Sequence, residues 1–156
     1  MKPLHIKLAK ANRKGMLPNG RKAFASMQYF KALHAIYDHP DYINLQPVQK
    51  ALLWDLCRQY NGHNNGDLSL APKIMKQWGW TKSTILRNAP ALLHNDWIFV
   101  SGHKKARNGF TYLYALTWLP VDECNGKLYP DSYNHQPKSL RLKGCKVTPL
   151  VNTKVA

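Results

Sequence analysis

Acidic side chains are scarce in this sequence: eight Asp and Glu stand against 23 Lys and Arg in 156 residues, a formal net charge of +15. Carboxylate chemistry therefore has little to work with. Asp122-Glu123 is one acidic pair without a partner motif, and it gives no support to catalytic metal binding. Cysteine is scarce too. Cys57, Cys124 and Cys145 lie far apart with no Cys-x-x-Cys pair, which argues against a zinc ribbon. The odd count argues against a disulfide framework and suits a reducing cytoplasm. There is no run of 18 apolar residues, and the basic opening "MKPLHIKLAKANRKG" holds no signal-peptide core. These absences predict a soluble protein of the cytoplasm, with no membrane partner.

Enzyme signatures are missing as well. Gly126-Lys127 is followed by Leu128, with no glycine five residues before Gly126, so there is no phosphate-binding loop. Neither a Gly-x-Ser-x-Gly elbow nor a His-Glu-x-x-His pair occurs. His34, Asp38 and His39 fall near the end of one predicted helix, where a solvated helix end is the plainer reading. The expectation is a protein that does no chemistry itself: no catalytic residue, no metal, no cofactor.

What is present is an apolar fraction of 44%, enough for one domain with a core. The excess of positive charge points to a polyanionic partner, nucleic acid first, and its placement is uneven. Residues 1 to 31 carry Lys2, Lys7, Lys10, Arg13, Lys14, Arg21, Lys22 and Lys31 and no acid; the last thirty carry Lys127, Lys138, Arg141, Lys143, Lys146 and Lys154 against Asp131 alone. The chain divides into a basic flexible arm over 1–22, a folded domain over 23–120 and a basic tail over 121–156.

Within the domain, Met27, Phe30, Leu33 and Tyr37 recur at helical spacing, which predicts an amphipathic helix ended by Pro40. Pro47 suits a first turn, and Leu45, Val48, Leu52, Leu56 and Tyr60 line one face of a helix over about 46–60. "YNGHNNGDLSL" (60–70) then carries two Asn-Gly steps, which read as turns. They explain the stretch better than a nuclease site built on His63, Asn64 and Asn65. "LSL" (68–70) is long enough for a small strand. Ser69 is a candidate cap for a short helix bearing Ile74, Met75 and Trp78, stopped by Gly79. Thr81 caps the next helix, 81–95, with Ile85, Ala89, Leu92 and Leu93 on its buried stripe. Pro90 lacks the N–H that would bond the Leu86 carbonyl and predicts a kink or a break. A strand "WIFV" (97–100), a polar turn "SGHKKARNG" and an alternating strand "FTYLYALTW" (110–118) complete the series. The five tryptophans, Trp54, Trp78, Trp80, Trp97 and Trp118, are read as core.

This order predicts a mainly α fold with a small β-sheet: a winged helix-turn-helix with a three-helix core, a short strand and a β-hairpin wing, plus an extra N-terminal helix and basic tails. "YNGHNNGDLSL", "GW" (79–80), "YLYALTWLPVDEC" and the upstream Phe30, Leu33, Tyr42 and Leu45 resemble prophage- and plasmid-borne winged-helix DNA-binding proteins. The resemblance covers about residues 28–127. It implies DNA binding, in transcription regulation or as a replication-initiator-like factor. Pro90 departs from that family's pattern.

The expected partner is double-stranded DNA. Lys82, Ser83, Thr84, Arg87 and Asn88 would face the major groove from a recognition helix, Arg reading guanine and Asn reading adenine. Ser83 and Arg87 share a face, as do Thr84 and Asn88. Lys104, Lys105 and Arg107, in a wing over 102–109, would clamp the backbone. Other readings stay open: a protein-interaction module of a mobile element docking on a host nucleic-acid-processing complex, a structured-RNA binder, and a homodimer joined through the first helix.

Overall fold

The computed structural model describes residues 30, 32–106, 109–136, 138 and 140. Among these residues five helices precede a hairpin: α1 His34–Tyr37, α2 Pro40–Ile43, α3 Pro47–Cys57, α4 Pro72–Met75, α5 Lys82–His94, then β1 Ile98–Ala106 and β2 Gly109–Leu116. Two 3-10 turns, Lys76–Trp78 and Pro130–Asn134, follow α4 and β2.

Among the described residues only α3 and α5 are long enough to pack along their length, and they pack on each other. Gln46 and Gln49 form a reciprocal capping box at the start of α3, and Pro47 fills its first turn. Leu52, Leu53, Leu56 and Cys57 face inward, meeting Ile85, Ala89 and Leu92 of α5 in one core with Ile36, Tyr42, Leu45, Leu68, Met75 and Trp97. Trp97 is fully buried, and Trp54, Trp78, Trp80 and Trp118 pack on that core half-buried. Two of these indoles tie elements together. Trp54 Nε1 donates to Tyr42 Oη at 2.8 Å, and Trp80 Nε1 donates to Asp55 Oδ2 at 2.7 Å.

The segment after α3 is held by amides. Asn64 Nδ2 donates to the Gln59 carbonyl at 3.0 Å, and its Oδ1 accepts from Asn61 N at 2.8 Å. Gln59 brackets Ser69, donating to its carbonyl at 2.9 Å and accepting from its N–H at 3.0 Å. Asn65 is fully buried. Its Nδ2 reaches the carbonyls of Leu116, Leu119 and Pro120, and its Oδ1 accepts from Leu116 N at 2.7 Å. The two glycines are turn residues: Gly62 and Gly66 lie at φ 103° and 130°, where side chains with a Cβ are strained.

The hairpin is antiparallel, pairing Ile98 with Leu116 at its base and Ala106 with Gly109 at its tip, with a bulge at Ser101. The bulge turns Ser101 inward: its Oγ donates to the Gly66 carbonyl at 2.6 Å. Leu68 bridges Tyr114 on one edge and Leu128 bridges Gly102 on the other. The second contact requires glycine, since a Cβ on Gly102 would sit 2.5 Å from the Lys127 carbonyl oxygen.

Several expectations are corrected. The winged helix is not supported, because the described residues contain no three-helix core. The segment expected as its middle helix is a four-residue turn, α4, run into a 3-10 turn that ends at Gly79 with φ 84°. "LSL" contributes a single bridge rather than a strand. The first helix is cut to α1 among the described residues, and Pro40 opens α2 instead of ending a long helix. The cap of α4 is Ala71, while the Ser69 hydroxyl accepts the Ala71 N–H at 3.2 Å. Val48 is exposed, off the buried face of α3. The polar stretch taken as a turn is strand as far as Ala106. Helix α5 runs from Lys82 to His94 with Pro90 inside it and no break.

Candidate nucleic-acid interface

The N-terminal turn of α5 begins at Thr81, whose Oγ1 accepts from Thr84 N at 3.2 Å. Burial of Ile85, Ala89 and Leu92 in the core fixes which side chains of the helix face outward. Lys82, Ser83 and Arg87 are exposed, together with Leu86 at 63%. Thr84 is half-buried, and its hydroxyl bonds Thr81 Oγ1 at 2.8 Å. Asn88 is only 7% exposed, and its Nδ2 donates to the Thr84 carbonyl at 2.8 Å. Thr84 and Asn88 thus share a face as expected, but it is the inward one. That placement removes Asn88 from the expected DNA-contacting set and leaves Thr84 occupied in the cap.

On the hairpin, Lys104 and Lys105 are exposed opposite Thr111 and Phe110. Arg107 lies outside the described residues. Lys73 and Lys76 were not among the sequence candidates. They are exposed around α4 and the following turn, while Met75 between them is fully buried. The signal was present: lysines flanking an apolar residue on a short helical segment point away from whatever that residue packs on.

The electrostatics favour an anion here. Between Asp67 and Asp122 the sequence holds one acid, Asp96. None of Lys73, Lys76, Lys82, Arg87, Lys104 and Lys105 enters an ion pair among the described residues. Other lysines are committed to the fold. Lys127 bonds Asp67, a hydrogen bond that raises its pKa above the ordinary value. Lys138 Nζ pairs with Asp41 Oδ2 at 3.0 Å.

Aromatic side chains also stand in the open on β2, where Phe110 is 69% and Tyr112 58% exposed. Sequence reasoning treated this strand as alternation and passed over them, because the alternation puts one set of side chains inside without saying what the other set is for.

His39 Nδ1 accepts from Asp41 N at 3.2 Å, capping α2. Among the described residues no three His, Cys, Asp or Glu side chains gather closely enough to hold a metal ion. A cavity of about 390 Å³ is walled by Leu33, Trp54, Cys57, Tyr60 and Trp118, but burial pushes the Cys57 thiol pKa far up and keeps it protonated. No helix among the described residues is long and apolar enough to cross a membrane. Comparison with protein-family models, curated proteins and solved structures found no match.

Proposed function

We propose that the protein binds double-stranded DNA and performs no reaction on it, with the exposed end of α5 and the hairpin tip as its contacts. Lys82 and Ser83 would meet phosphates, Arg87 a phosphate or a guanine edge, and Lys104 and Lys105 the backbone of the same duplex. The observation that carries this reading is the run from Asp67 to Asp122. One acid interrupts it, and six exposed cations lie within it without an ion-pair partner among the described residues. Exposed cations without paired acids attract a polyanion and release its counterions on contact. Transcriptional regulation and replication initiation on a mobile element both need this activity.

The test is fluorescence anisotropy with random-sequence duplex across a salt series. Affinity is expected to fall steeply with salt. Lys104→Ala and Lys105→Ala should each weaken binding to every sequence and flatten the salt slope by about one. Arg87→Ala should weaken binding and relax any sequence preference. No duplex binding at low salt, or three variants that bind like the parent, would overturn the proposal.

A further inference from the structure

We infer that the hairpin face bearing Phe110 and Tyr112 stacks on unpaired bases, so that the preferred ligand is a nucleic acid carrying a single-stranded stretch beside its duplex. The duplex part of this inference rests on the function proposed above; the stacking part does not.

Phe110 and Tyr112 are two apart on β2, so they project from one face. Their cross-strand partners are Lys105 and His103, which project from that same face within contact range. His103 is held in place. Its ring meets Phe110 edge-on at 4.9 Å and 88°, and its Nδ1 lies 2.9 Å from Tyr129 Oη. The Tyr129 ring centroid is 5.4 Å away. Phe110, His103 and Tyr129 therefore make a connected ring surface, flanked by Tyr112 and edged by an ammonium group.

Lone exposed aromatics are ordinary, but several on one sheet face are not, since leaving them in water forgoes their burial. The charge around them selects the occupant. The hairpin sequence from Trp97 to Val121 has no acid and carries Lys104, Lys105 and Arg107, with Asp131 two positions beyond Tyr129. An apolar protein partner needs no such excess of cations. A nucleic-acid strand presents what this face complements: flat π-surfaces joined by phosphates. Stacking of this type tolerates any base and needs only that the base be unpaired.

The experiment uses the full chain and three labelled DNAs: a blunt duplex, the same duplex with a single-stranded tail, and the tail alone, with the corresponding RNAs as a parallel set. The tail is expected to tighten binding over the blunt duplex by about fivefold or more. Phe110→Ala and Tyr112→Ala should each shrink that difference. Phe110→Trp should keep it, and the new indole should lose fluorescence when the tailed DNA is added. A tail that adds nothing, or alanine variants that retain its full effect, would overturn the inference while leaving the duplex proposal standing. Binding of the tail alone without any binding of the blunt duplex would do the reverse. If the alanine variants change the oligomeric state and not the tail's effect, the face joins copies of the chain and the inference falls. A larger effect in the RNA set assigns the unpaired strand to RNA.

Discussion

Asn65 shows how much one side chain does in this fold. It is buried at the second Asn-Gly turn of a loop, and all of its side-chain hydrogen-bonding capacity is spent on a segment more than fifty residues away. Asn65→Ala is expected to lower stability by about 3 kcal/mol, because the Leu116 N–H and at least one carbonyl would stay buried without a partner. Asn65→Asp should not restore the loss, since it keeps the acceptors and removes the donors. Denaturant titration checks both, and an alanine variant within about 0.5 kcal/mol of the parent would show that water replaces the amide. At this scale the sequence was half legible. Two Asn-Gly steps announced turns, and Gly62 and Gly66 are turns. That the asparagine between them is a hub was not legible, because its partners are distant in sequence. The same limit decided Asn88. Helical spacing correctly paired it with Thr84, but spacing gives a shared face without saying whether that face looks at solvent or at the core.

Elements were most legible where they are long. Helices α3 and α5 lie close to where apolar spacing and the Pro47 and Thr81 signals put them. The middle helix failed because Ala71–Trp78 offers barely two turns before Gly79, too few to hold a regular α-helix together. The hairpin tip failed differently: polarity suggested a loop, yet His103 to Ala106 complete a ladder with residues 109 to 112. Pro90 was expected to kink or break α5, and the helix runs through it. Nothing in the structure explains why proline stands there. Pro90→Ala is therefore expected to raise stability by about 1–3 kcal/mol, since it restores a bond to the Leu86 carbonyl at an exposed position. Thermal and denaturant melts read the change, and an unchanged or lower stability would mean that α5 already accommodates the ring at no cost.

Across the whole molecule, charge separates into two kinds. Some lysines are fasteners and others face outward, and composition cannot tell them apart. Lys138 is a fastener read in the sequence as part of a basic tail. Its Nζ donates to the Asn95 carbonyl at 2.6 Å and to Asp41 at 3.0 Å, and lies 4.7 Å from the centre of the Trp97 ring. Its own N–H donates to the Thr117 carbonyl at 2.7 Å. Lys138→Met should cost about 2 kcal/mol, the scale of lost charge-assisted hydrogen bonds. In a cycle with Asp41→Asn the two losses should be less than additive, because each removes the same ion pair. Additive losses would assign Lys138 to the Asn95 carbonyl alone. The overall architecture was legible as helices followed by a hairpin, and the chain's cationic character was legible at once. The three-helix core was not there to be read, since the core is completed by aromatic rings and by chain segments without regular structure.

The tie between Asp41 and Lys138 also bears on how the protein is made. Its two ends are 97 positions apart, so on the ribosome the early partner is synthesised long before the late one exists. Helix α3 and the local bonds of Asn64 to Asn61 and Gln59 can form as the chain emerges, but Asp41 and the Asn95 and Thr117 carbonyls lack their Lys138 partner until residue 138 has cleared the exit tunnel. The fold therefore closes late in synthesis, and a message truncated after the hairpin yields a chain that lacks the bonds from Lys138 to Asp41 and to the Asn95 carbonyl.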